Sequence, residues 1–225
     1  MPNMPGMDMR AAWTPMLHVW TASDFTFIFL MWAIMMIGMM TPSATPMILI
    51  HARVARQAAK DGKPLAATSC FLFGYLLSWT GFSLLAAVAQ GALAHMAWLT
   101  PMMVAASGRI GGSVLMAAGI YQFTPMKNKC LRQCQSPFAF IAANGGFKQG
   151  VGNSIRLGIR HGLYCIGCCW LLMALLFVGG VMNILWIAAI AIHVLIEKAV
   201  IAGRAIALLT GTALAVTGLW LLLRG

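Results

Sequence analysis

Acidic side chains are nearly missing from this chain. Asp and Glu together number 4, against 15 Lys and Arg. Asp8, Asp24, Asp61 and Glu197 are too few and too scattered for a paired-carboxylate hydrolase or a carboxylate-driven ATPase. Charge of either sign is scarce: 8% of residues carry it, where a soluble domain usually has about 25%. No phosphate-binding glycine loop and no dinucleotide fingerprint is present, so any transport must be driven by a gradient or by a partner. A basic signal-peptide start is also absent. The first nine residues carry no basic side chain, and the first apolar run begins only near Phe25.

What is there in quantity is apolar. The hydrophobic fraction is 61%, which places the chain among integral membrane proteins. Uncharged runs predict six helices, at about 25–50, 65–94, 98–124, 161–180, 183–202 and 205–223, each near or above the roughly 20 residues that cross a bilayer core. Arg53, Arg56, Lys60 and Lys63 follow the first run. Lys127, Lys129, Arg132, Lys148, Arg156 and Arg160 follow the third, and Lys198 and Arg204 the fifth. The alternate connections, at 95–100 and 179–183, hold no Lys, Arg, Asp or Glu. Because basic loops stay in the cytoplasm, the expected fold is an all-α polytopic bundle of six transmembrane helices with both termini outside. Residues 1–23 then form a methionine-rich extracytoplasmic tail. Residues 24–225 form the membrane domain, with a cytoplasmic loop at 126–160. The net charge of +11 is explained by this topology, and a nucleic-acid partner is not expected. The expected surroundings are a lipid bilayer, with partner membrane subunits or a metal chaperone.

Six cysteines remain to be explained. With this topology all fall toward the reducing side, where clustered cysteines serve metal binding or catalysis more often than disulfides. A helix starting near His161 puts Cys165 at i+4 and Cys168 three residues later, in one stripe with Cys169 at its edge. Gly158, Gly162 and Gly167 allow a neighbouring backbone to come close. Cys130 and Cys134 are also four apart, in the same leaflet. Thiolates and imidazole suit a soft transition metal. The candidate ligands are therefore Cys130, Cys134, His161, Cys165, Cys168 and Cys169, for copper, with zinc as the alternative ion. The competing view is that each cysteine packs as a small apolar residue.

Accessory candidates are less specific. His193 and Glu197 lie four apart in the fifth run, where Glu197 could equally pair with Lys198 or Arg204. Met31, Met35 and Met39 share a face of the first run and offer thioethers for Cu(I), although methionine at that spacing more often just fills space. Pro42 and Pro46 predict a kink or an unwound stretch. Arg109 lies either inside the third run, where an intramembrane arginine signals function, or at its outer edge if the helix starts near Gly108. His51 reads as interfacial.

Taken together, the segments Met39-Met40-Thr41-Pro42-Ser43-Ala44-Thr45-Pro46-Met47, Tyr121 through Cys130 and Cys134 to Pro137, His161 through Cys168-Cys169-Trp170, Gly180-Val181-Met182-Asn183 and Glu197-Lys198 resemble a bacterial family of predicted metal-binding integral membrane proteins, a domain of unknown function. The resemblance covers about 25–198. It implies a multi-pass protein of the bacterial inner membrane and attaches the metal-binding label to Cys130, Cys134, His161, Cys165, Cys168 and Cys169.

The expected function is binding of a thiophilic metal, copper first, at the Cys/His cluster, for transport or delivery. Two alternatives compete with it. Cys165-Ile-Gly-Cys168 at a helix start is a C-x-x-C pair suited to a membrane thiol oxidoreductase. A chain this rich in Trp and Gly also fits an accessory subunit of a larger membrane complex.

Overall fold

The computed structural model describes residues 22–62, 65, 67–99, 105, 107–200 and 202–224. The methionine-rich residues 1–21, and with them the expected placement of the N-terminus, lie outside these. The described residues are all-helical, apart from an isolated bridge between Leu99 and Ala105. In order they form α1 (Ala22–Lys60), α2 (Thr68–His95), α3 (Gly108–Phe123), α4 (Pro125–Gln135), α5 (Pro137–Ala143), α6 (Val151–Ala174), α7 (Leu176–Gly179), α8 (Ile184–Ala199) and α9 (Gly203–Arg224).

Four of these segments are long and apolar enough to cross a membrane: Ala22–Lys60, Thr68–His95, Val151–Gly179 and Gly203–Arg224. The expectation of six is met only in part. Helices α3 and α8 have 16 residues each, about 24 Å at 1.5 Å per residue. The third helix does not begin near Trp98. It begins at Gly108, where the Ser107 side chain caps it by accepting from the Ile110 amide at 3.3 Å. Arg109 is therefore an exposed first-turn residue and is not buried within a span. Conversely, the segment read as a loop at 126–160 is largely helical, in α4, α5 and the start of α6. Two Thr/Ser-Pro steps build it. Thr124 caps α4 with Pro125 in its first turn, and Ser136 caps α5 with Pro137 in the same place. Helix α1 runs without interruption through Pro42 and Pro46. The two prolines therefore remove amide donors without unwinding the chain.

Glycine sets the closest helix pairs. A Cβ added at Gly158 would lie 2.1 Å from the Phe71 carbonyl oxygen, and one at Gly74 2.2 Å from that of Ile155, so α2 and α6 meet backbone to backbone. In the same way Gly119 and Gly211 bring α3 against α9. Around this frame a single large core gathers Trp32, Met36 and Met40 of α1, Tyr75 and Trp79 of α2, and Cys165, Cys168, Cys169 and Met173 of α6. Trp32 donates to Gln90 at 2.6 Å, which satisfies a buried indole N–H. Large apolar side chains also cover the outside: Leu185 is 83% exposed and Ile184 79%.

The basic segments collect at one end of the bundle. His51, late in α1, stacks on Phe71 at the start of α2 and meets Phe147 edge-on just before α6. Arg204, at the start of α9, donates to the Gln122 carbonyl at the end of α3. Lys127 of α4 pairs with Glu197 near the end of α8. At the opposite end, Leu93, Trp98, Arg109 and Phe177 share a cavity of about 520 Å³ with mostly apolar walls. Trp186, at the start of α8, donates to the Leu175 carbonyl at the end of α6.

Candidate metal centre

Helix α6 begins at Val151, ten residues before the start expected from the sequence. The predicted stripe survives this change because spacing, not the starting point, determines it. His161, Cys165, Cys168, Cys169 and Leu172 all point inward and are buried. The Cys168 and Cys169 thiols donate back to the Cys165 carbonyl at 3.1 and 3.0 Å. Cys165 thus lies about four turns inside its helix. It is not at a helix start, so the dipole argument for a thiol oxidoreductase falls away.

Helix α4 lies across this stripe. The half-buried Cys134 of α4 faces Cys165 and Cys168. Interaction with these two cysteines, together with burial, holds the Cys134 thiol well above its ordinary range. Cys130 lies one turn away against Gly167, where an added Cβ would come within 2.8 Å of its sulfur. The glycine predicted to admit a neighbour therefore admits a cysteine. Burial pushes the Cys130 thiol up as well, and charge on Cys168 pushes it further.

A lysine completes the cluster. Lys198 is 6% exposed. Its Nζ donates to Cys165 Sγ at 2.8 Å, to Ser43 Oγ at 3.4 Å and to Cys169 Sγ at 3.9 Å. An ammonium has three protons to give, and it finds three acceptors here. From the other side, the Tyr75 hydroxyl lies 3.3 Å from Cys165 Sγ and donates to the Met40 carbonyl at 2.9 Å. The site is thus built by α1, α2, α4, α6 and α8. Reasoning from sequence missed Lys198 and Tyr75. The signals were a cation in the last turn of an apolar helix and a tyrosine in a run without charge, both of which need buried partners.

The remaining candidates are not gathered equally. His161 shares the stripe but is enclosed by rings, with centroids at 5.0 Å to Phe140, 5.8 Å to Tyr75 and 5.9 Å to Phe71, and its Nδ1 has no hydrogen-bond partner among the described residues. Glu197 does not pair with Lys198 or Arg204 as expected. Adjacent positions on a helix point about 100° apart, so Lys198 turns to the thiols while Glu197 turns to Lys127 of α4, at 2.6 Å with both side chains fully buried. Gln122 accepts from the same Lys127 ammonium. His193 is half-buried with Nε2 unpartnered. Along α1 the more deeply buried thioethers are Met36 and Met40, at 0% exposure. Met39 is buried at 7%, and Met31 and Met35 are half-buried, so the inward face is offset from the predicted stripe. Arg109 stands far from this cluster, at the opposite end.

The donor set is chemically what a soft ion requires. Among the described residues, however, no group of three or more His, Cys, Asp or Glu side chains is arranged to hold a metal ion. As it stands, the cluster is a set of buried sulfurs, two of them in contact with one ammonium. None of the curated proteins and none of the solved structures matches this chain. Residues 29–221, which include every residue of the site, match the family described as PpoB2, copper chaperone, and the chain belongs to that family.

Proposed function

We propose that this protein is a membrane-embedded copper carrier that takes up Cu(I) as cargo on Cys134, Cys165, Cys168 and Cys169 and delivers it to a partner. In this reading the four long apolar helices span the bilayer, with α3 and α8 completing a six-helix bundle whose basic end faces the cytoplasm of a bacterial inner membrane. The observation that carries it is the contact of Lys198 with two buried sulfurs. These thiols already hold a positive charge, in a place that excludes water. Cu(I) can take the place of that ammonium, gaining soft sulfur donors while Lys198 retains Ser43. Cys130 and His161 flank the four thiols and would serve as entry or exit ligands, with the Met36, Met39 and Met40 thioethers beside them on α1. Arg109, His193 and Glu197 have no part in holding the cargo.

The test is copper stoichiometry of the full chain, purified in a mild detergent and loaded with Cu(I) under reducing conditions, with sulfur coordination read by X-ray absorption. The intact protein is expected to retain one ion in an all-sulfur shell. The Cys165→Ser/Cys168→Ser variant is expected to lose it. Copper content that survives this double substitution removes the proposal.

A further inference from the structure

At the basic end, a second cavity of about 120 Å³ is lined by His51, Asn144, Lys148, Ser154, Arg156 and Arg160, among others. We propose that this cavity binds a phosphate-bearing anion. It lies apart from the thiol cluster, and the copper reading does not depend on it.

Charge is the first argument. An ammonium and two guanidinium groups line the cavity, and among the described residues no carboxylate does. The second is the backbone. Gly150 precedes α6 with φ 99°, and no side chain caps the helix. The amides of its first turn therefore lack a side-chain acceptor at the end where the helix dipole is positive. The third argument is independent of both. His51 is fully buried and lines this cavity. Its Nδ1 lies 3.2 Å from the Thr68 hydroxyl, while Nε2 has no hydrogen-bond partner among the described residues. In the tautomer in which Thr68 donates to Nδ1, Nε2 carries the proton and needs an acceptor. A buried donor left without one is costly, and an anionic oxygen in this cavity supplies it. Arg160 is already oriented by donating to Asn144 Oδ1 at 3.0 Å.

The size fits. A volume of 120 Å³ corresponds to about four waters at roughly 30 Å³ each, enough for one phosphate group. Free phosphate and the headgroup of an acidic phospholipid share this chemistry.

The test uses the full chain in nanodiscs and has two arms. In phosphatidylcholine discs, equilibrium binding of radiolabelled orthophosphate detects free phosphate. In discs with equal phosphatidylglycerol and phosphatidylcholine, native mass spectrometry reads which lipid stays bound. Saturable binding is expected in one arm, and the arm identifies the source. Lys148→Gln/Arg156→Gln removes two exposed charges from the cavity, and Arg53→Gln/Arg56→Gln removes two exposed charges outside it. The first pair should weaken binding at least about tenfold, as expected for lost charge-assisted contacts, and the second less than about twofold. Absence of saturable binding in both arms overturns the proposal. Equal weakening by the two pairs also does, because it marks nonspecific attraction to a basic protein. Both variants leave the core untouched, so a folding failure does not blur the outcome.

Discussion

Replacing Lys198 with Met tests whether its ammonium holds the place of the cargo. The substitution keeps the length of the side chain and removes its charge. At 2.8 Å from Cys165 Sγ, an ammonium facing a thiolate gains about 6 kcal/mol at an effective dielectric constant of about 20. Desolvation of both groups offsets part of this. Removing one partner of a buried pair typically costs about 3–5 kcal/mol. The metal-free protein should therefore lose stability of that order. The copper-loaded protein should lose little, because Cu(I) has already displaced the ammonium from the sulfurs. Closing the cycle, about 3 kcal/mol lost from the metal-free state alone raises copper affinity by about two decades, at 1.4 kcal/mol per decade. Thermal unfolding in detergent with and without Cu(I), together with competition against a chromogenic Cu(I) chelator, measures both sides of the cycle. Two results refute the reasoning. Weaker copper binding by Lys198→Met would make the lysine part of the loaded site. Unchanged stability of the metal-free variant would mean that the sulfurs carry no charge for it to balance.

Much of this arrangement was legible before any coordinates, and the part that was not has a physical pattern. Helical spacing alone placed His161, Cys165, Cys168 and Cys169 on one inward stripe, because i+3 and i+4 neighbours share a face wherever the helix begins. The approach of α4 to that stripe was anticipated only as two clusters in one leaflet. Its helix went unread because Pro125–Gln135 is polar overall, although Thr124-Pro125 and Ser136-Pro137 are cap signals. Hydropathy also failed at the start of α3. The stretch before Gly108 is uncharged, so hydropathy runs through the boundary, and the start near Gly108 stood only as one of two alternatives for Arg109; the Ser107 cap decides for it. Lys198 and His51 were misjudged for a different reason. Each stands beside basic residues that suggest an exposed interface, and each is buried by groups remote in sequence: Lys198 by sulfurs 29 and 33 positions away, His51 by Phe71 and Phe147. Local pattern reports which face a residue shares, but it does not report what closes over that face. The alternation of basic and uncharged connections, by contrast, depends only on counting charges, and the contacts do gather basic segments at one end.

Three further outcomes follow from the packing. Gly158→Ala drives a methyl into the Phe71 carbonyl at 2.1 Å and should cost at least about 2–3 kcal/mol by forcing α2 from α6. A detergent-denaturation midpoint equal to that of the intact protein would contradict the close approach. Cys130 should react with iodoacetamide only at higher pH than an ordinary thiol of pKa about 8.5, since burial and Cys168 both raise its pKa. Mass-spectrometric labelling between pH 7 and 10 measures this, and a midpoint below 8.5 would be inconsistent with it. The Lys127–Glu197 pair allows a double-mutant cycle. Its groups are fully buried at 2.6 Å, so Glu197→Leu alone leaves an uncompensated ammonium whose remaining partner is the neutral Gln122 side-chain oxygen. Lys127→Met alone leaves a carboxylate with none. Each single change should therefore cost about 3–5 kcal/mol, whereas the double change, which leaves no orphaned charge, should come within about 1–2 kcal/mol of the intact protein. Additive losses in the cycle would mean that the two side chains do not meet in the folded protein.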